Sequence, residues 1–203
     1  HGPFAGVPPS NGRSSGTLGL SPVLMQIETV TKLEAAERQL TSATKLYFND
    51  SDAIAIHTLV AASYNIIRDI SKHRNASPTM IKDFFVDSYS GPKKNKIGSW
   101  INSFENFFKH ADHDPDGTIK LNTEITELLL IDAWAQYEKL LGELPIEGKA
   151  FRVWTGTPKP DTASDICTLI KSMKKMDKQK FFSLFLEWYD IYIQETERKP
   201  SSA

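Results

Sequence analysis

Residues 105–124 read ENFFKHADHDPDGTIKLNTE and hold the densest set of side chains able to do chemistry. Asn106 and His110 stand four apart, so on a helix they share a face. An imidazole there can take or give a proton near neutral pH, and the amide can orient it or a phosphate. Directly after them come Asp112, Asp114, Asp116 and Gly117. That is the order of oxygen ligands and turn glycine that opens a twelve-residue calcium loop. Three features depart from the pattern. Thr123 stands at the closing position in place of a bidentate Glu, with Glu124 one residue late; Lys120 brings positive charge to the ninth position; and Pro115 stiffens the fourth. The same residues also read as a plain Asp-Pro-Asp-Gly turn between two helices. The first expectation is thus no cofactor, and the alternative is calcium at Asp112, Asp114 and Asp116.

The run Asn106-Phe107-Phe108-Lys109-His110 resembles the R-N-x-x-x-H segment of the HEPN superfamily. The resemblance implies an all-α bundle over about 25–142 and a site in the groove between two protomers of a homodimer. It implies metal-independent endoribonuclease chemistry on RNA, in stress or phage defence. His110 would then be the general acid or base, and Asn106 would orient it or the phosphate. Glu105 stands where that family has its Arg. Arg68 is the candidate to supply the missing cation across the bundle. With His73 it also fits a looser R-x-x-x-x-H form, but five-residue spacing turns the two side chains about 140° apart. Longer strings, IHTL from Ile56 and NFFKHADHDP from Asn106, resemble a widespread bacterial family. That likeness implies the fold and the importance of Asn106, His110 and Asp112, and no particular reaction.

Two other classes stand beside the nuclease. In one, Glu105 marks a lost site and the protein is a catalytically silent helical interaction or dimerisation module; in the other it is a calcium-dependent structural protein. In the plainest reading, Asn106 and His110 satisfy a helix end, and Asp112 and Asp114 bond turn amides. His57, His73, His110 and His113 offer no H-x-x-x-H pair, so the spacing argues against a zinc or iron site. His57 reads as a buried, hydrogen-bonded core histidine. Cys167 lies in the apolar run DICTLI and reads as a small core residue. No nucleotide-binding glycine loop and no nucleophile elbow occurs, so no nucleotide cofactor is expected. Two lysine groups could meet RNA phosphates or simply be solvated: Lys93, Lys94 and Lys96, and Lys171, Lys174, Lys175, Lys178 and Lys180.

The elements that position these residues are helices throughout. Apolar residues at helical spacing run from Met25 to Phe48, and Asn49-Asp50-Ser51-Asp52 supplies a turn and an N-cap. The second helix, about 51–73, is apolar nearly all round, as central helices are. One row along it, His57, Ala61, Tyr64 and Arg68, carries polar groups on an otherwise buried element. Ser77-Pro78 opens a short helix to about 88. SGPKKNKIG reads as a loop, and 98–111 as a helix. Asn122 or Thr123 caps a long helix that Gly142 ends. A short helix and a proline-rich loop follow, then a helix over 161–176, and Asp177 caps the last. The aromatic stripe Phe181, Phe182, Phe185, Trp188, Tyr189 and Tyr192 is expected to pack against the bundle or a partner protomer. No strand is expected.

The 203 residues therefore make one all-α domain of six to eight helices over 25–203, with a HEPN-like core at 25–142 and a helical extension at 143–198. Residues 1–24 are rich in Gly, Pro and Ser and read as a flexible leader preceding the folded chain. Composition narrows function further. Lys plus Arg number 24 and Asp plus Glu 25, a net charge of −1, which lacks the basic excess of a strongly electrostatic nucleic-acid binder. No apolar run is long enough to span a membrane. The single cysteine excludes an internal disulfide and fits a cytoplasmic protein.

Overall fold

A computed structural model of the chain describes residues 27–76, 80–88, 90–112, 114–156 and 175–198. Among them are eight helices and no strand: α1 (Lys32–Phe48), α2 (Ala53–His73), α3 (Ile81–Asp87), α4 (Pro92–Ile101), α5 (Ser103–Lys109), α6 (Thr123–Leu141), α7 (Ile146–Thr155) and α8 (Lys178–Arg198). The protein is an all-α bundle, as its periodicity predicts. No helix of the described residues is long and apolar enough to cross a membrane. The helix expected over 161–176 lies almost wholly outside the described residues, as do Cys167, Lys171, Lys174 and the leader.

The long helices start where side chains satisfy their first amides. Thr31 and Glu34 form a reciprocal capping box, so α1 begins at Lys32 rather than at Met25. Asp52 accepts from the amides of Ile54 and Ala55 at the head of α2, and Asn122 accepts from Glu124 at the head of α6. Asp177 does the same for Lys180 on α8. Gly142 ends α6 at φ 85°, a left-handed conformation that costs glycine little.

Two expectations about 90–111 are corrected. SGPKKNKIG is mostly helix, because Pro92 after Gly91 can start one and the lysines sustain it. The helix expected over 98–111 is two elements, broken at Asn102, and α5 stops at Lys109.

The core lies between α1, α2, α6, α7 and α8. Leu40, Val60, Tyr64, Ile67, Leu130, Phe151 and Phe181 are among its fully buried side chains. Phe48, at the end of α1, is its aromatic hub. Its ring stacks on Phe182 at 4.5 Å between centroids and meets Phe151 edge-on at 6.2 Å. Helix α7 lies so close to α6 that a Cβ on Gly148 would stand 3.1 Å from the Trp134 ring. Phe181, Phe182 and Phe185 of α8 are buried in the same core, which places that part of the aromatic stripe inside the bundle.

Candidate functional site

Helices α3, α4 and α5 form a short arm, joined to α2 and α6 by a set of part-buried and buried polar groups beside the buried Met80 and Phe104. The row of polar residues expected on α2 is what the arm docks on. His57 is buried and shares a 2.8 Å hydrogen bond with Thr126 of α6, while Phe104 and Phe108 of α5 meet its ring edge-on. Burial, and then the charge of Lys82, push its pKa down to about 4, so the ring is neutral near pH 7.

Tyr64, one further step along the row, donates to Asp132 at 2.6 Å and accepts from the amide of Lys82 at 3.0 Å. The amide of Ile81 donates to the same Asp132 oxygen at 2.8 Å. Helix α3 has no side-chain cap of its own. Its first two amides are instead satisfied by a tyrosine of α2 and a carboxylate of α6. Burial and then the bond to Asp132 push the Tyr64 hydroxyl far above its ordinary range, so it stays protonated.

Arg68, at the end of the row, grips Asp83 of α3. Its Nε lies 2.9 Å from both carboxylate oxygens, its Nη2 also bonds Oδ1, and Lys72 adds a 2.9 Å bond to the same carboxylate. These partners hold Asp83 below the usual carboxylate range, with the Arg68 hydrogen bond the main cause.

The residue that closes the arm is Glu105. Its carboxylate accepts from Asn65 of α2 at 2.7 Å, from Lys109 at 2.6 Å and from the buried Lys82 ammonium at 3.4 Å. Lys82 further donates to Asn102 at 3.2 Å, at the break between α4 and α5, and its ammonium lies 5.1 Å from the centre of the Tyr64 ring. Burial works to raise Glu105, but the bonds from Lys109 and Asn65 and the nearby ammonium charges outweigh it and hold the carboxyl low. Burial lowers Lys82, and Glu105 offsets part of that effect.

The predicted site residues fall in three places. Arg68 is part-buried and engaged with Asp83. Asn106 and His110 are exposed at the end of α5, on a different element. His110 caps α5 in extended backbone, with its amide donating to the Asn106 carbonyl at 3.0 Å, so the two side chains no longer follow one helix face. No hydrogen bond joins either side chain to Arg68 among the described residues. Asp112, Asp114 and Asp116 are exposed, and the Asp114 carboxylate folds over Gly117 tightly enough that a Cβ there would lie 2.3 Å from it. Among the described residues no three His, Cys, Asp or Glu side chains are grouped to hold a metal ion. His113 lies outside the described residues.

Sequence reasoning passed over Lys82, Asp83, Asn65, Asn102 and Asp132, and read Glu105 as the departure from the family's Arg, the mark of a lost site in one of its three readings. One signal was available. Lys82 and Asp83 stand between Met80-Ile81 and Phe84-Phe85, and Glu105 follows Phe104 and precedes Phe107. Charges bracketed by large apolar residues on short helices are drawn into burial and must find partners.

No protein-family model matches the chain, and neither a curated protein nor a solved structure matches it.

Proposed function

We propose that the protein is a helical binding module that holds RNA on its α4–α5 arm without cleaving it. One observation carries this reading: α4 is turned away from the core and presents Lys93, Lys96 and Trp100, three and seven residues along, on one exposed stripe. Trp100 is 59% exposed. Neither Lys93 nor Lys96 is in an ion pair among the described residues, whereas Lys94 bonds Asp87 at 2.9 Å. Cations that follow a backbone, interleaved with an aromatic face on which a base can stack, suit a single strand. Phe107 and His110 are also exposed on the α5 part of the arm, whereas the Lys109 ammonium is engaged with Glu105 at 2.6 Å. Against cleavage stands the engagement of Arg68 with Asp83, which occupies the guanidinium that the nuclease reading needs beside His110.

The test is fluorescence anisotropy with a labelled single-stranded RNA in EDTA, followed by a denaturing gel. Binding that weakens with salt, and weakens about tenfold in Lys93→Glu/Lys96→Glu, is expected. Trp100→Ala should cost about 1–3 kcal/mol. The RNA should emerge intact. Cleavage by the wild type that His110→Ala abolishes would overturn the non-cleaving reading in favour of a nuclease. Absence of binding would overturn the RNA reading altogether. A second reading, a homodimerisation module, draws on Ile191 of α8, which is 58% exposed beyond the buried part of its helix. Sedimentation of the wild type beside Ile191→Lys tests it.

A further inference from the structure

The arm that carries the α4 stripe is joined to the bundle by non-helical chain at both ends. Asn75, at φ 50°, follows α2, and none of residues 114–122 before α6 is helical. What the arm docks on therefore sets its place, more than its connections do. Under α5 that surface centres on His57. The residue is 1% exposed, its ring meets Phe104 and Phe108 of α5 at 5.8 and 5.6 Å between centroids, and it shares a 2.8 Å hydrogen bond with Thr126 of α6. One imidazole of α2 thus ties α5 to α6.

The charged groups around that ring favour its neutral form. From α3 comes the buried Lys82 ammonium, which repels a second positive charge. From α5 comes Glu105, which attracts one, but its carboxylate is shared among Lys82, Lys109 and Asn65. Helix α6 offers the neutral Thr126 hydroxyl, and its Asp132 is taken by Tyr64 and the Ile81 amide. On α2 itself Tyr64 stays protonated, and Arg68 is bound to Asp83. Burial acts most strongly and Lys82 next; together they outweigh Glu105 and bring the His57 pKa down to about 4.

An imidazole in water has an ordinary pKa near 6.5. The undocked arm therefore lets His57 bind a proton that the docked arm excludes. Between the two values each falling pH unit favours the undocked form by about tenfold, and at pH 4.5 the accumulated shift is about eightyfold. Once undocked, α4 and α5 are ten and seven residues long, too short to persist as helices. Lys93, Lys96 and Trp100 then lose their common face. The five-helix core keeps its own packing.

We infer that α3–α5 is an acid-released clamp: proton uptake by His57 undocks the arm from α2 and α6 while the core stays folded, and the α4 stripe lets go of its single strand. The loss of RNA rests on the RNA reading above; the undocking does not. Its sign is opposite to that of plain electrostatics, because exposed histidine side chains gain charge in acid and would hold a polyanion more tightly.

Fluorescence anisotropy with a rhodamine-labelled oligouridylate tests the release, since uracil takes no proton between pH 7.5 and 4.5. Wild-type affinity should fall about fivefold over that range. In His57→Phe, which keeps an aromatic ring under α5 and cannot take the proton, it should not fall. Two-dimensional 1H–15N spectra of the wild type read the undocking with neither RNA nor a variant. Amides of α3–α5 should move to unstructured positions at pH 4.5 while those of α1 and α6 keep theirs. Arm amides that hold their native positions, or α1 and α6 amides that move with them, would overturn the proposal. So would an affinity that rises in acid, or one that falls equally in His57→Phe. No binding at pH 7.5, with the arm still undocking at pH 4.5, would strike the RNA reading alone and leave the clamp supported.

Discussion

The five-helix core and the α3–α5 arm solve the same problem by different physics. In the core, Phe48, Leu40, Ile67 and Phe181 are fully buried and no ion pair is needed among them. In the arm, the helices are seven to ten residues long, too short to be stable alone. They are tied down by Arg68–Asp83, Lys82–Glu105, Asn65–Glu105 and the Asp132–Tyr64 pair. Hydrophobic burial tolerates small shifts and is indifferent to pH. Charged hydrogen bonds demand geometry, and once buried they fail badly when one partner is lost. The arm is therefore expected to be released without unfolding the rest, which the variants below test.

The largest expected effect lies in the core. Phe48→Ala removes the ring on which Phe182, Phe181 and Phe151 pack and should cost about 4–5 kcal/mol. Urea denaturation should show the loss as a lower midpoint, with arm and core amides losing hydrogen-exchange protection together. Next comes Lys82→Ala, which leaves Glu105 buried beside fewer cations, and should cost about 3–4 kcal/mol. Here exchange should rise in α3–α5 and stay unchanged in α1 and α6. If α1 and α6 exchange faster too, the arm is not a separate unit. The double variant Lys82→Met/Glu105→Leu should recover most of the loss, because both charges leave together.

Acid should reach the arm before the core. The pKa of His57 in the folded protein is about 4, below the ordinary 6.5, because of burial and the Lys82 charge. Between those values the unfolded chain binds a proton that the folded one does not, so stability is full above 6.5 and declines toward 4. Asp83 and Glu105 are also held low, the first by Arg68, and their share is lost as pH falls through the carboxylate range. All three have the same sign, and His57 alone contributes at most about 3 kcal/mol over that window. Melting temperature should drop between pH 7 and 4, and His57→Phe should flatten the upper part of the drop. An unchanged profile in His57→Phe would contradict the assignment.

The same division explains what was legible in the sequence. Core helices announce themselves through 3.6-residue periodicity and local caps: Asp52, Asn122, Gly142 and Asp177 are all readable within a few residues of their partners. The polar row His57, Tyr64 and Arg68 was also visible, because polar groups on an apolar helix stand out. Its partners were not. Asp132 is 68 residues from Tyr64, and Glu105 is 40 from Asn65, so no local pattern links them. The arm was misread for the same reason. Its helices lack side-chain caps of their own at α3 and α5, and the groups that start α3 come from α2 and α6. The Asn106–His110 pair was legible as a motif, but a motif fixes only spacing. Whether α5 continues through His110 depended on where the chain turns toward Asp114.

The smallest expected effect sharpens the contrast at the caps. Thr31 accepts from the Glu34 amide at 3.2 Å, and Glu34 returns a 2.7 Å bond from the Thr31 amide, both at an exposed helix start. Thr31→Ala removes one half of that exchange and should cost about 1 kcal/mol. The loss belongs to a local device at the head of a core helix, so it should lower the global midpoint while α3–α5 exchange relative to the core is unchanged. Tyr64→Phe probes the equivalent function in the arm, since the hydroxyl satisfies the Lys82 amide across the bundle. It should cost more, about 1–3 kcal/mol, because the buried Lys82 amide and Asp132 each lose a partner, and should place its effect on α3 exchange. The two caps would then differ in which cooperative unit they report, and that difference follows from whether the cap residue is three positions away or on another helix.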